Sequence, residues 1–346
     1  MDSDTNPADP QSIEAPMASV PDPPPTEGMY FGLALDRAGG AQSLDVAEVR
    51  AWSPERDALW VVLDRNYDGA EEWLEKTFQL SEVVREGMLA EDTRPRCVRT
   101  TEGMLILMRG VNLNPGATPD DMVRIRLWVD EHKAISLRNR RVFALRDLQH
   151  RLEQGVGPRT PGEVLVQLAD AITDRIRDVV NNQQDLVDEI DEAMLERVTP
   201  DLRRKLASPR RQAMTIRRYL APQRDMIARL AIEPTPLLTD GDRLRLRETA
   251  DELTRQVEEL DLLRERASLI QEQMAATASE QMNRTMYVLS LVAAIFLPLG
   301  LITGLLGVNV GGIPGADSPW AFAGLCVIMV GLAIVEYFFF RKMRWL

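Results

Sequence analysis

The sequence predicts an α+β cytoplasmic domain, in which an α/β layer is joined to long helices, followed by a two-helix transmembrane hairpin. Three observations predict this class. Short apolar runs separated by polar segments extend to about residue 151, helical periodicity dominates from residue 160, and two long apolar runs lie near the end. The net charge of −12 over 346 residues comes from the part before residue 285.

Residues 1–27 are predicted to be a disordered tail. They are rich in Pro and Asp and contain few large apolar side chains. Such a segment cannot bury enough surface to offset the entropy that ordering would cost. The folded part of the chain is therefore expected to begin at about residue 28.

Residues 28–160 are predicted to form a cytoplasmic α/β domain. Apolar runs at 58–63, 104–108 and 123–129 are typical of buried strands. A helical stretch from about residue 70 to residue 90 lies between the first two. Mixed strand and helix signals within one segment indicate a sheet that is covered by helices.

The region 161–240 is predicted to be helical and cytoplasmic. Thr160 can cap a helix that has Pro161 in its first turn and Glu163 at the third position. Five prolines are expected to divide the second half of the region into helical pieces. They are Pro200, Pro209, Pro222, Pro234 and Pro236.

The helix predicted from Glu163 to Glu196 carries many acids on its exposed positions. They are Asp170, Asp174, Asp178, Asp185, Asp188, Glu189, Asp191 and Glu192. A solvated face is the ordinary interpretation of such a pattern. In an oligomer the same acids could also raise the local cation concentration, an effect that salt would screen.

Residues 241–306 are predicted to form one long stalk helix that continues into a first membrane span at 286–306. Apolar residues recur at spacings of three and four, as in a coiled-coil seam. They are Leu246, Ala250, Leu253, Val257, Leu260, Leu263, Ala267, Ile270 and Met274. A helix of about 100 Å cannot bury its own seam, so neighbouring helices of this chain or of other copies must cover it.

Two apolar runs, 286–306 and 320–340, are each long enough to cross a membrane. A buried core hairpin is the alternative, but two such runs after a charged chain favour the bilayer. Residues 307–319 then form an external loop and 341–346 a basic cytoplasmic tail. Glu336 is expected at the cytoplasmic interface rather than in a proton relay.

Flanking charge predicts the orientation of this multi-pass protein in the inner membrane. Arg284 precedes the first span, and Arg341, Lys342 and Arg344 follow the second. The loop at 308–319 contains no Lys or Arg. The positive-inside rule therefore places both termini in the cytoplasm.

A glycine-rich segment, 304–315, follows the first span and admits three interpretations. Gly and Asn commonly end helices, which is the simplest one. A phosphate-binding loop is excluded by context, because such loops follow a strand. A pore entrance is the third, since the amide oxygen of Asn309 can contact the water shell of a hydrated cation.

Gly307-Val308-Asn309 resembles the Gly-x-Asn signature of the CorA superfamily of divalent metal transporters. The segments 282–286, 295–299 and 345–346 match that superfamily as well, and the resemblance extends from about residue 28. Its magnesium channels usually have Met where Val308 stands and acids in the outer loop. Val308 and the glycine-rich loop are more similar to the ZntB-like zinc transporter branch.

The resemblance implies a CorA-like pentameric funnel. A homopentamer would have a central pore lined by the first span of each copy, in contact with the lipid bilayer. The transported ion would be a divalent metal cation, zinc above all, with cadmium, nickel and cobalt as further candidates. Proton-coupled uptake is implied, although efflux has also been proposed for such proteins. We expect no resident cofactor and no nucleic-acid partner.

Under this resemblance one face of the first span would line the pore. The candidates are Asn283, Met286, Leu289, Ser290, Ala293, Leu297, Gly300 and Gly304, with Gly307, Val308 and Asn309 at the outer end. Asn309 would form the outer selectivity ring and Asn283 an inner polar ring. Met286, Leu289 and Leu297 could gate by dewetting. Packing against a neighbouring helix is the alternative for each apolar residue.

Side chains that could strip zinc of its water are missing along the predicted pore. Cys326 is the only Cys or His in the spans, and it belongs to the second one. His132 and His150 have no Cys or His at metal-binding spacing, and Cys97 and Cys326 suggest no disulfide framework. Passage of a largely hydrated ion is therefore expected, with no fixed metal ligands.

Two other functions are compatible with the sequence. A passive magnesium or cobalt channel of CorA type is the alternative within the superfamily. A membrane-anchored sensor or scaffold, whose hairpin serves only as an anchor, belongs to a different class. We expect no enzyme, because the sequence contains no nucleophile motif, Walker loop or metal-hydrolase signature.

Overall fold

A computed structural model describes residues 23–91, 94–196, 198–308 and 319–342 of the chain. The chain divides into two compact units, Met1–Ile270 and Gln271–Leu346. Most of the predicted disordered tail, residues 1–22, lies outside the described residues. Glu27, at the end of that segment, accepts hydrogen bonds from Arg50 at 2.6 Å and, through its backbone oxygen, from Trp73 Nε1 at 2.9 Å.

The first unit contains a seven-stranded sheet. Its strands are β1 (Met29–Leu35), β2 (Ala41–Leu44), β3 (Ala58–Asp64), β4 (Arg96–Arg99), β5 (Met104–Gly110), β6 (Val123–Val129) and β7 (Lys133–Arg138). The spatial order is β2-β1-β3-β7-β6-β5-β4, with β3 and β7 parallel and all other neighbours antiparallel. The three predicted strands are confirmed as β3, β5 and β6, because each is an apolar run that the sheet buries.

Short helices cover one face of this sheet. They are α1 (Val46–Arg50), α2 (Ala70–Glu72), which continues as a π-helical turn at Trp73–Thr77, and α3 (Glu82–Leu89). Buried side chains from these helices and from the strands form one cluster. Its members include Val61, Trp73, Leu74, Val84, Met88, Leu107 and Trp128. Burial of this apolar area is the main stabilising contribution to the α/β layer.

The single helical stretch predicted from about residue 70 to residue 90 is wrong in one respect, because the structure breaks it in two. Gln79 adopts a left-handed backbone with φ of 55°. The amide of Leu80 donates to the carbonyl of Leu74 at 2.9 Å, as in a Schellman-type helix end. A helix end stabilised by backbone geometry leaves little trace in the residue pattern.

Two further helices of the first unit are α4 (Phe143–Glu153) and α5 (Pro161–Glu196). The predicted cap is confirmed, because the backbone N–H of Glu163 donates to Thr160 Oγ1 at 3.1 Å. Arg175 joins the two helices by donating to both carboxylate oxygens of Asp147, at 2.8 and 2.7 Å. Both side chains are half-buried, so this bidentate ion pair positions α5 against α4.

Helix α6 runs from Pro200 to Leu230 with Pro209 and Pro222 inside it. The prediction that these two prolines divide the region was therefore wrong. Each removes one backbone hydrogen bond and crowds the preceding turn, at a cost of about 3 kcal/mol. Buried Leu206, Ile216 and Ile227 show that tertiary packing along the helix offsets this cost.

Helix α7 (Asp240–Leu306) confirms the long helix that the seam predicts. Every seam residue from Leu246 to Ile270 is at most 6% exposed within the single chain. Polar contacts show which helices cover it. Gln256 Nε2 donates to the carbonyl of Thr173 in α5 at 3.0 Å, and Arg217 of α6 pairs with Asp261 at 2.6 Å. Neighbouring helices of this chain therefore bury the seam.

The second unit contains residues 271–306 of α7 and the whole of α8 (Ala321–Lys342). Both helices contain windows long and apolar enough to cross a membrane, with mean hydropathy of 2.4 and 2.2 and none of either window buried within the chain. They are two candidate transmembrane helices. Without a bilayer or further copies, their apolar side chains would be exposed to water.

Candidate ion pathway

The candidate pore residues of the first span lie on one stripe of α7. At 3.6 residues per turn, the positions from Asn283 to Gly304 fall within a sector about 120° wide. All eight side chains or glycines of this stripe are exposed in the single chain. We call them the candidate pore stripe: Asn283, Met286, Leu289, Ser290, Ala293, Leu297, Gly300 and Gly304.

A second stripe of α7 is half-buried and lies on the opposite side of the helix. Its residues are Leu291, Ala294, Ile295, Pro298, Leu299 and Ile302. Its centre is about 150° from the centre of the candidate pore stripe at 100° per residue. Partial burial at spacings of three and four marks the face along which a helix packs against another.

Helix α8 has a matching set of covered residues. These are Leu325, Met329, Leu332, Ala333, Glu336 and Phe340. Since α7 and α8 are the two helices that the described part of the second unit contains, these stripes indicate the faces along which the hairpin packs. The candidate pore stripe points away from α8, so a second copy or lipid must cover it.

Polar groups on the first span are few. Asn283 and Ser290 are the polar members of the candidate pore stripe. Thr285 and Thr303 lie beside it, and their hydroxyls donate to backbone oxygens of Gln281 at 2.9 Å and Leu299 at 3.0 Å. Because these two hydroxyls are bonded to their own helix, they add little polarity to the neighbouring stripe. The stripe is therefore mostly apolar between its two ends.

Gly300 and Gly304 leave open space on this stripe. A β-carbon added at either position would meet no atom within 4 Å in the single chain. Glycines four residues apart allow the backbones of two membrane helices to approach closely. Gly300 and Gly304 therefore mark the part of this stripe to which another helix can approach most closely.

The outer end of the pathway is described only in part. The backbone N–H of Gly307 donates to the carbonyl of Thr303 at 2.9 Å, which closes the last turn of α7 after Leu306. Val308 is exposed. Asn309, the predicted selectivity residue, lies outside the described residues, as do positions 310–318 of the predicted external loop.

The described residues contain no group of three or more His, Cys, Asp or Glu side chains that could hold a metal ion. His150 instead contacts Glu153 at 3.2 Å and Gln154 at 2.9 Å on its own helix. His132 lies in the turn between β6 and β7, where its backbone N–H donates to Asp130 at 2.9 Å. Both histidines are exposed, and these contacts suit structural roles.

Glu336 lies on the partly covered face of α8, and its expected place at the cytoplasmic interface stays a prediction. Its Oε2 is buried and has no hydrogen-bond partner. The signal that could have found it is its spacing from Leu325, Met329, Leu332 and Ala333, which is that of one helix face.

Residues 55–342 match the family model of the CorA-like Mg²⁺ transporter protein. The chain belongs to this family. The predicted recognition is thereby confirmed, and the two apolar helices are those of a membrane protein.

Relatives of this CorA-like protein are similar over almost their whole length. The divalent cation transporter CmaX of Pseudomonas aeruginosa is 41% identical over 324 residues, covering 92% of this chain and 97% of the relative. The zinc transport protein ZntB of Pectobacterium atrosepticum is 37% identical over 319 residues, covering 92% and 96%. The structure of full-length CmaX superposes with a TM-score of 0.82 at 39% identity, covering 93% and 99%.

Proposed function

We propose that this CorA-like protein transports divalent metal cations, zinc in particular, through the central pore of a homopentamer. Support comes from relatives named as divalent cation and zinc transporters at 41% and 37% identity. Cadmium, nickel and cobalt are secondary substrates of the proposal. The cation is cargo, and the protein needs no resident cofactor and performs no catalysis.

The observation that carries this proposal is the uncovered candidate pore stripe. Two helices cannot enclose a pathway, and the stripe faces away from the other helix of the hairpin. Copies arranged around an axis would bring the stripes of their first spans together. A closed cyclic assembly covers such a surface in every copy at once.

The proposed pathway has polar ends and an apolar middle. Asn309 forms the outer ring together with Gly307 and Val308, and Asn283 forms the inner ring. The amide dipoles contact the water shell of the ion, while Met286 and Leu297 control wetting of the middle. Since the stripe has no thiolate or imidazole, the ion crosses with most of its water.

The proposed orientation in the inner membrane places both termini in the cytoplasm. Arg284 precedes the first span, and Arg341 and Lys342 end the second, whereas the loop between the spans has no Lys or Arg. This distribution follows the positive-inside rule. The acidic residues of α5 are then in the cytoplasm, where they can raise the local concentration of cations.

Zinc uptake into proteoliposomes tests the proposal. The purified protein is reconstituted and Zn²⁺ entry is measured with and without an inward proton gradient. We expect entry that the gradient stimulates and that Asn309→Ala abolishes while assembly, measured by light scattering in detergent, stays intact. Val288→Ala, which lies off the candidate pore stripe, is the matched control and should transport normally.

Other outcomes select other functions. Magnesium flux that does not respond to pH would favour a passive channel, which the description of the matching family supports. Flux of neither ion, with Asn309→Ala indistinguishable from the unaltered protein, would indicate a membrane-anchored sensor or scaffold.

A further inference from the structure

Helices α5 and α6 carry opposite charges on their exposed faces. The chain has no Lys or Arg from residue 178 to residue 196, and no Asp or Glu from residue 202 to residue 224. On each helix, exposed charged residues recur every seven positions, which is almost two full turns, so they lie along one side. We call those of α5 the acidic stripe: Asp178, Asp185 and Glu192. We call those of α6 the basic stripe: Arg204, Arg211 and Arg218.

The single chain leaves most of this charge without a partner of opposite sign. Arg204 lies 3.6 Å from Asp201 on its own helix, which is a weak contact. The other five charged groups form no ion pair within the described part of the chain. By contrast, Asp188 and Asp191, which lie beside the acidic stripe, both pair with Arg266 of α7.

Both stripes point away from the core that α5, α6 and α7 share. A step of two residues turns about 200° around a helix, to almost the opposite side. On α5, the residues two positions after the first two acids are buried, namely Val180 and Val187. On α6, the residues two positions after the three arginines are buried, namely Leu206, Ala213 and Leu220. Since packed helices turn their exposed faces outward, one chain cannot bring its own two stripes together.

The stripes nevertheless match in position along the hairpin. Helix α5 ends at Glu196 and α6 begins at Pro200, and helices with so short a connection run antiparallel. Counted from these two helix ends, the stripes form three pairs at four, eleven and eighteen residues: Glu192 with Arg204, Asp185 with Arg211, and Asp178 with Arg218. Because the rise per residue is the same in both helices, the members of each pair lie at similar heights.

We propose that the acidic stripe of one copy docks on the basic stripe of the next copy. The interface rests on the homopentamer of the proposed function, but it does not depend on transport. Copies related by rotation about an axis along these helices keep their heights, so each acid meets the arginine of its own pair. The contact is heterologous, and a closed ring satisfies both stripes in every copy.

Charge also decides between a second copy and a membrane surface as the occupant. Anionic lipid headgroups would attract the basic stripe but repel the acidic one, whereas a second copy fits both. Exposed ion pairs contribute little individually and are screened by salt. The contact between copies should therefore weaken as the salt concentration rises.

Cross-linking between differently tagged chains tests the interface. One full-length chain carries Asp185→Cys and the other Arg211→Cys, both with Cys97→Ser and Cys326→Ser. The co-expressed protein is treated in detergent with a short bismaleimide, and we expect a covalent product that contains both tags. Arg229→Cys replaces Arg211→Cys in the matched control. Arg229 is an exposed arginine of α6 about 27 Å further along, so the product should fall at least about ten-fold.

A charge reversal at a neighbouring pair tests whether charge holds the stripes together. Arg218→Glu in the Arg211→Cys chain should lower the product about three-fold, as expected for one exposed ion pair. Asp178→Arg in the other chain should restore the product. Raising the salt from about 0.05 M to about 0.5 M should lower it. A product that responds neither to the reversal nor to salt would overturn the pairing of the stripes.

Light scattering in detergent separates the interface from the proposed function. If the protein assembles but gives no product with both tags, or equal product with Arg211→Cys and Arg229→Cys, the interface is overturned. Binding of phosphatidylserine that Arg211→Glu abolishes would then assign the basic stripe to a membrane surface. A monomeric protein would overturn the interface and the pentamer together. Cross-linked product in a protein without zinc flux would support the interface and remove the transport function.

Discussion

Helix α7 contains two apolar stretches that differ in how much of their surface the rest of the chain covers. Up to Ile270 its apolar residues form a narrow seam, and the rest of its surface is charged. From Met286 onward nearly every side chain is apolar. Leu260 in the first stretch is 0% exposed, whereas Leu297 in the second is 71% exposed within the single chain.

This difference shows how much each stretch depends on its own chain. A narrow seam is satisfied by two neighbouring helices, so α5 and α6 suffice to cover the first stretch. A helix that is apolar all round needs a surface on every side, and α8 covers only one. The remainder must come from lipid or from other copies.

The largest effect is expected where the chain itself provides the packing. Leu260→Ala should lower the free energy of unfolding by about 2–5 kcal/mol, because it leaves a cavity in the seam. Leu262→Ala changes the same residue type two positions later, where Leu262 is exposed, and should cost less than about 0.5 kcal/mol. Thermal unfolding of the detergent-solubilised protein measures both. Equal losses of stability in Leu260→Ala and Leu262→Ala would show that the seam is not the packed face of α7.

The reactivity of Cys97 tests whether the first unit excludes water from its packed side chains. Burial in the first unit, with a smaller contribution from Glu233, raises the pKa of the Cys97 thiol to about 11. A raised pKa lowers the thiolate fraction, so alkylation at pH 8 should be about a hundred-fold slower than for an ordinary thiol. In a Cys326→Ser background the rate should keep rising until pH approaches 11.

The alkylation control is the same protein unfolded in denaturant, where Cys97 should titrate near its ordinary pKa. A rate in the folded protein that levels off near pH 9 would contradict the prediction. The raised pKa of the Cys97 thiol also makes the stability of the folded state depend on pH. The unfolded state loses its thiol proton at lower pH than the folded state, so this group lowers stability as pH rises from 9 to 11.

Two glycines offer a matched test of available space. A β-carbon at Gly162 would lie 2.0 Å from the carbonyl oxygen of Leu237, so Gly162→Ala should destabilise the first unit by about 1–3 kcal/mol. Gly304→Ala meets nothing within 4 Å in the single chain and should leave unfolding unchanged. Any loss of assembly in Gly304→Ala, measured by light scattering, would then report contact between copies.

The smallest effect is expected at an ion pair between helices. Asp147→Asn weakens the bidentate contact with Arg175 and should lower the free energy of unfolding by about 1 kcal/mol. Asp174→Asn breaks a more exposed pair with Arg177 on the same helix and should cost about 0.3 kcal/mol. Chemical denaturation at low salt measures the difference, and the reverse order would show that α5 is not positioned through Asp147.

Much of the architecture was predictable because it follows local periodicity. The runs at 58–63, 104–108 and 123–129 are apolar over whole strands, and Thr160 and Glu163 stand at the spacing of a helix start. The seam from Leu246 to Ile270 identified α7. Each of these signals lies within a few residues of chain, where residue type alone limits the backbone conformation.

Other features depended on contacts between distant residues. The helix break at Gln79 depends on backbone geometry, and Pro209 and Pro222 stay within α6 because packing offsets their cost. The candidate pore stripe was identified by spacing, but only the packed hairpin shows that it faces away from α8. Asn309 was nominated by its motif alone and remains a prediction.

Residue pattern alone predicted which faces are apolar, the three central strands, the long helix α7 and the segments that can enter a membrane. Only the tertiary structure decided what covers each apolar face. It assigned α5 and α6 to the seam, left one side of the first span uncovered, and placed Glu336 among the partly covered residues of α8. Periodicity specifies the direction of a side chain around its own helix, whereas its partner depends on how separate helices pack.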